Sequence, residues 1–177
     1  PTMSGYVMAV PIGMKTTSRP LQISASVTEA SANTFAFTDI PLTLNILENE
    51  VFVITQLSID VDERDAAVGA TTGCNASLSS TARVTAGTIA NSNNLGTANR
   101  TIVGLLGLTG YAFDREDPLF ATMSEDYLGI VATNNMFLNV EGFGNGNVKS
   151  ARVRVYGYRA TASSSTYAAL VQSELLS

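Results

Sequence analysis

The sequence contains no histidine, no tryptophan and a single cysteine, Cys74, among its 177 residues. The lack of histidine removes the usual general base and the commonest metal ligand. One cysteine cannot form an internal disulfide or a cysteine-based zinc site. A serine nucleophile would need Lys15, Lys149 or a carboxylate as its base, and no Ser-x-x-Lys motif occurs. We therefore expect no enzyme activity and no cofactor.

Charge is also scarce. Charged residues make up 14% of the chain, whereas an average soluble protein has roughly 25%. The net charge is −5, and the first 20 residues contain only Lys15 and Arg19 as basic side chains. This balance argues against binding of nucleic acid by bulk electrostatics. No apolar run reaches the about 18 residues of a membrane-spanning helix, and an apolar content of 45% argues against a disordered chain.

The length favours one domain over residues 1–177, with an N-terminal arm at 1–20 and a C-terminal tail at 161–177. The apolar pattern mostly has a period of two, in short stretches separated by Gly, Asn, Ser, Thr and Pro. In the segment VFVITQLSIDVDE, alternation predicts that one face of a long half-buried strand carries Val51, Val53, Leu57, Ile59 and Val61. Further strand candidates are LQISASV, NTFAF and LTLNIL. The pattern predicts an all-β antiparallel sandwich.

The segment LGIVATNNMFLNVEGFGNGNVKSARVRVYGYRA predicts three strands joined by an Asn-Asn turn and a Gly-rich turn, which makes two consecutive antiparallel hairpins. The Gly-rich stretch Gly142–Asn147 superficially resembles a phosphate-binding loop, but such loops need a helix after them, and here a strand follows. We interpret it as a hairpin turn with Phe143 at its tip as a candidate contact residue.

Acidic residues cluster at the end of the long strand. Asp60, Asp62 and Asp65 are candidate ligands for a hard cation such as calcium, which prefers six to eight oxygen atoms. The spacing of an EF-hand loop is absent, and a solvated strand end explains the same residues. Both interpretations stay open.

Arg and Tyr, the residues most enriched at interface hot spots, alternate with apolar residues on the last strong strand. These side chains share one face, which is either a subunit contact or an ordinary solvent-facing surface. Together with two residues of the tail, the candidate interface residues on this basis are Arg152, Arg154, Tyr156, Tyr158, Tyr167 and Leu170.

Two segments of the chain resemble the single jelly-roll coat proteins of tailless icosahedral viruses. They are the long strand VFVITQLSIDVDE and the closing unit MFLNVEGFGNGNVKSARVRVYGYRA. The chain is most similar to the coat proteins of bacterial or archaeal DNA viruses. The resemblance implies a jelly roll of about eight strands with extended arms. It further implies a structural virion protein that self-assembles into a capsid, with copies of itself, other virion proteins or an internal membrane as partners. The missing basic arm argues against direct nucleic-acid binding.

A second class of function fits the same residues. A β-sandwich adhesin, fibre or carbohydrate-binding module would use the loop acids with calcium, and metal-dependent stabilisation would indicate it. A carboxylate hydrolase would require two acids about 5 to 10 Å apart in one cleft, and nothing in the spacing predicts that. Two glycosylation sequons, at Asn75 and Asn99, would matter only if the source glycosylates its proteins.

Overall fold

The computed structural model describes residues 10–105, 108–116, 119–120 and 127–176. In these ranges the chain is almost entirely β-structure, with one α-helix, α1 (Ser164–Leu175), and one 3-10 turn (Ile46–Glu48). The strands, numbered along the chain, are β1 (Met14–Thr16), β2 (Leu21–Thr28), β3 (Ala36–Pro41), β4 (Glu50–Val61), β5 (Thr72–Ser79), β6 (Asn94–Leu105), β7 (Leu108–Glu116), β8 (Leu119–Phe120), β9 (Gly129–Val131), β10 (Asn135–Phe143) and β11 (Ser150–Ala162).

Two antiparallel sheets form a sandwich. The first sheet has the central order β2–β11–β4–β9, with β1 also on β11 and β8 also on β4. The second sheet has the order β3–β10–β5–β6–β7. Apart from the additional strands β1, β7 and β8, successive strands mostly alternate between the sheets, which is the connectivity of a jelly roll. The predicted all-β sandwich of the jelly-roll type is confirmed.

The predicted pair of hairpins near the C-terminus is wrong. Strand β10 pairs with β3 and β5, whereas β11 pairs with β2 and β4 in the other sheet. The Gly-rich segment 142–147 therefore crosses between sheets and is not a hairpin turn. The predicted strand LTLNIL is also wrong, because Thr43 and Asn49 adopt left-handed φ angles of 49° and 55° and a 3-10 turn lies between them.

The prediction that Val51, Val53, Leu57, Ile59 and Val61 share one face of β4 is wrong, because this strand contains a β-bulge. The register with β11 shifts between Tyr156, opposite Gln56, and Gly157, opposite Ile54, so Thr55 is the extra residue. Because a bulge adds one residue, the alternation of inward and outward side chains is shifted by one position beyond it. Val51 and Val53 accordingly point out of the sandwich, whereas the main core between the sheets receives Phe52, Ile54, Leu57, Ile59 and Val61.

Helix α1 covers the outward-facing apolar residues of β4 and β11. Tyr167, Leu170 and Val171 pack on a second apolar cluster that includes Val51, Val53, Ala132, Tyr158 and Ala160. The helix begins after Ser163, whose hydroxyl accepts a hydrogen bond from the Thr166 amide at 3.3 Å. The predicted C-terminal tail thus folds back on the chain's own sheet from residue 164 onward.

The far end of α1 is fixed by a buried carboxylate. Glu174 accepts hydrogen bonds from the backbone amides of Ala132 at 2.8 Å and Thr133 at 3.1 Å. Burial raises the pKa of the Glu174 carboxyl above its ordinary value, although these amide donors oppose the shift. The amides offset part of the desolvation and fix α1 across the sheet.

In the N-terminal arm, β1 extends the first sheet through pairing of Met14 with Ala162 and Thr16 with Ala160. Residues 1–9 of the predicted arm lie outside the described residues. No α-helix in the described ranges has the length and apolar character needed to cross a membrane.

Candidate functional site

A groove of about 600 Å³ lies on the outer face of the first sheet. It forms because alternation along β11 sends Ala151, Val153 and Val155 into the core and the intervening residues outward. Strands β2, β4 and β11 supply its polar lining, which consists of Ser24, Ser26, Gln56, Ser58, Asp60, Arg152, Arg154 and Tyr156. Of the β11 residues that the sequence placed on one face, Arg152, Arg154 and Tyr156 therefore line this groove.

The two arginines of the groove differ in their surroundings. Arg152 Nη1 lies 2.9 Å from Asp62 Oδ1 and 3.6 Å from Asp60 Oδ2. Arg154 is opposite Ser24 on β2 and Ser58 on β4 and is exposed. Arg154 makes no ion pair or side-chain hydrogen bond with the part of the chain that the structure describes. The groove thus presents one cation, Arg154, that no carboxylate of the described residues pairs with.

The acids predicted as calcium ligands do not converge. Asp60 lies in the groove, also 3.5 Å from Arg100 Nη2. Asp62 accepts a hydrogen bond from the Ser150 amide at 2.9 Å as well as the Arg152 contact. Asp65 lies in a separate network at one end of the sandwich. Among the described residues, no group of three or more His, Cys, Asp or Glu side chains is placed to hold a metal ion.

The network around Asp65 joins loops that are distant in sequence. Lys149, whose side chain is 6% exposed, donates to Asp65 Oδ1 at 2.7 Å and to the Glu63 carbonyl at 2.8 Å. Asp65 Oδ2 accepts from the amides of Gly146 at 2.8 Å and Asn147 at 2.9 Å. The Lys149 hydrogen bond, followed by these amide bonds, lowers the pKa of Asp65 to about 2.

A second carboxylate extends this loop network. The buried Glu29 accepts hydrogen bonds from the amides of Gly142 at 2.6 Å, Thr34 at 3.1 Å and Lys149 at 2.8 Å. The buried Asn145 amide group donates to the Gly73 carbonyl at 2.7 Å. These polar contacts hold the connections β2–β3, β4–β5 and β10–β11 together at this end of the sandwich.

Replacing Asp65 by asparagine should reduce the amount by which the free energy of unfolding falls at acidic pH. Because the pKa of Asp65 is lowered on folding, its contribution is complete above its ordinary value of 3.8 and is lost as the pH falls to about 2. Urea unfolding at pH 7, 4 and 2 should show a smaller loss of stability in Asp65→Asn than in the wild type. Asp39→Asn, at an exposed site, serves as control. Equal pH dependence in wild type and Asp65→Asn would contradict this assignment.

An exposed aromatic surface lies at the edge of the second sheet. Phe37 on the edge strand β3 is 51% exposed, and its ring centroid lies 6.2 Å from that of Phe35 and 6.4 Å from that of Phe137. Asp39, two residues further along, is also exposed and is opposite Phe137 in the register. We call Phe35, Phe37, Asp39 and Phe137 the aromatic edge. The predicted strand NTFAF overlaps β3 only at Ala36 and Phe37, and no sequence pattern indicates that this strand lies at an edge.

The other predicted interface residues are placed elsewhere. Phe143 is half-buried, with its ring against the backbone of Gly73 in the loop network. Tyr158 is 1% exposed beneath α1, whose Tyr167 and Leu170 cover the same cluster. Only three of the predicted interface residues therefore converge in one surface feature, namely Arg152, Arg154 and Tyr156 in the groove. A role of the predicted residues in subunit contacts stays a prediction.

No protein-family model matches the chain, and no curated protein sequence matches it. Among solved structures, a chain of Desmodium yellow mottle tymovirus is similar over 92% of this chain and 96% of its own length, with 11% sequence identity and a TM-score of 0.28. With a TM-score of this size the likeness carries no argument, so the function has to be inferred from the geometry of the chain itself.

Proposed function

We propose that the chain is a structural virion protein whose copies associate into a closed icosahedral shell. The jelly-roll sandwich is an architecture that viral capsid domains share with lectins and cupins, so the fold alone does not decide the function. The observation that carries the proposal is that the folded chain leaves large apolar side chains exposed to water in several separate places.

These apolar side chains lie at both ends of the sandwich. Leu47, in the β3–β4 connection at one end, is 95% exposed. Val68, in the β4–β5 connection at the opposite end, is 90% exposed, and Val148 in the neighbouring β10–β11 connection is also exposed. Contacts that bury these side chains would engage opposite ends of the chain, and a subunit of a closed shell needs contacts on more than one side.

The surface has room for several such contacts. A specific contact buries about 800 Å² on each partner, and the chain exposes 9953 Å² in total. The low charged fraction of 14% means that few ions lose their hydration when surfaces meet. The loop network also orders one end before association, which reduces the entropy lost on binding.

In this role the chain acts without catalysis or a cofactor. Its principal partner is a second copy of itself, and other virion proteins or an internal membrane adjoin the shell. The genome is not contacted directly, because the net charge of −5 repels phosphate.

Sedimentation velocity of the purified chain over a range of protein and salt concentrations tests this proposal. We expect capsomers or larger closed particles whose fraction rises with protein concentration. A parallel series with added calcium or a chelator serves as control, since a calcium-dependent binding module would stay small and gain thermal stability with the metal. A monomer under every condition would contradict the proposal.

A further inference from the structure

We propose that the groove of one copy receives the aromatic edge of a second copy, with Arg154 paired to Asp39 and Tyr156 packed on Phe37. This inference rests on the proposed self-assembly and identifies one of its contacts. The occupant is a second copy because the two surfaces of the same chain match each other in charge, chemistry and spacing.

The charges are complementary. Arg154 is an exposed cation without an ion pair among the described residues, whereas its neighbour Arg152 is held by Asp62. Asp39 is an exposed acid that likewise makes no ion pair or side-chain hydrogen bond within the described ranges. An arginine and a carboxylate form charge-assisted, often bidentate hydrogen bonds. Each group therefore lacks within the chain the partner that the other supplies.

The spacing also matches. Arg154 and Tyr156 are two residues apart on one face of β11, and Asp39 and Phe37 are two residues apart on one face of β3. Residues i and i+2 of a strand are about 6.6 Å apart. When Asp39 meets Arg154, Phe37 can reach Tyr156 with no change in either backbone. Both Arg154 and Tyr156 line the groove, and Arg and Tyr are enriched among interface hot spots.

The strand that carries the aromatic edge is accessible. Within the described part of the chain, β3 pairs with β10 alone, so its second side has no strand beside it. Phe37 keeps half of its surface exposed although Phe35 and Phe137 flank it. An exposed aromatic side chain of this kind can enter a groove of about 600 Å³.

The contact is heterologous, since the groove lies on the first sheet and the aromatic edge on the second. After one contact forms, each copy still offers an unused groove or an unused edge. Head-to-tail contacts of this type close into rings when the rotation between copies permits. The same pair of surfaces can therefore build a capsomer.

A charge-reversal cycle tests the pairing. We expect Arg154→Asp and Asp39→Arg each to raise the protein concentration needed for assembly by at least about tenfold, because like charges then meet. The double variant should return close to the wild type. Measured at a protein concentration too low for assembly, thermal unfolding should barely change in any of the three, since both side chains are exposed and have no partner in the described chain.

The matched control is a double variant in which Arg154→Asp is combined with Glu48→Arg instead of Asp39→Arg. Glu48 is an exposed acid of the 3-10 turn. Arg154→Asp combined with Glu48→Arg changes the net charge equally and should stay defective. Failure of Arg154→Asp with Asp39→Arg to recover assembly would overturn the pairing, as would single variants that assemble like the wild type. If the wild type itself stays monomeric, the proposed function and the pairing both fail, and this outcome is distinguishable from the others.

Discussion

Replacement of Phe52 by alanine should lower the free energy of unfolding by about 3–5 kcal/mol, the usual range for a buried Phe. The Phe52 side chain is 0% exposed and belongs to the main core between the sheets. It fills this position only because the bulge at Thr55 turns it inward. Its loss would leave a cavity beside Gly157, where a Cβ atom would lie 2.7 Å from the Phe52 ring.

Urea unfolding of Phe52→Ala measures this cost, and Phe52→Leu provides a milder variant if the alanine variant does not fold. Phe37→Ala is the matched control, because the same residue type is removed at a position that is 51% exposed. We expect about 1 kcal/mol or less for the control. Equal costs at the two positions would show that Phe52 does not lie in the core and that the bulge is misplaced.

Addition of one methyl group at Gly157 should also destabilise the chain strongly, by about 1–3 kcal/mol or more. A Cβ atom on Gly157 would lie 2.3 Å from the carbonyl oxygen of Val53 and 2.7 Å from the Phe52 ring. The Val53 carbonyl belongs to the backbone of β4, so it cannot move without disturbing the pairing of β4 with β11. The expected result for Gly157→Ala is a lower midpoint of urea unfolding.

Gly146→Ala is the control for this substitution. The nearest atom to a Cβ atom at Gly146 is Asp65 Oδ2 at 3.7 Å, which is an ordinary contact. We expect its unfolding midpoint to stay close to that of the wild type. If Gly157→Ala were as stable as Gly146→Ala, the close packing of β11 against β4 at the bulge would be refuted.

Strands β4 and β11 were predictable, because apolar and polar residues alternate along most of each. The bulge was not. Residues 51–54 are all apolar, so both faces of this stretch are suited to burial and a period of two cannot show where the facing reverses. The second face is occupied by α1, which lies within the predicted C-terminal tail at 161–177.

Strand pairing could not be predicted from the sequence for a different reason. Hairpins connect neighbouring segments, and the local pattern favoured them. The jelly roll instead pairs strands that are far apart, as in the contact of Val61 with Ala151. Alternation specifies which side chains point inward but not which strand lies alongside, and the Gly-rich segment fits a crossing between sheets as well as a turn.

The candidate site was predictable in part. The alternation on β11 placed Arg152, Arg154 and Tyr156 on one face, and this face proved to be the groove. The aromatic edge was missed because the exposure of Phe37 depends on the position of β3 in its sheet. The loop network was missed because Asp65 and Lys149 meet only through the folding of two separate connections.

Electron microscopy of the purified native protein tests self-assembly most directly, because images of frozen particles show both the particle and the orientation of each subunit. We predict closed hollow shells in which the groove of one subunit faces the aromatic edge of its neighbour. Solitary sandwiches in every field, at all protein and salt concentrations, would contradict the proposal that this chain is a shell subunit.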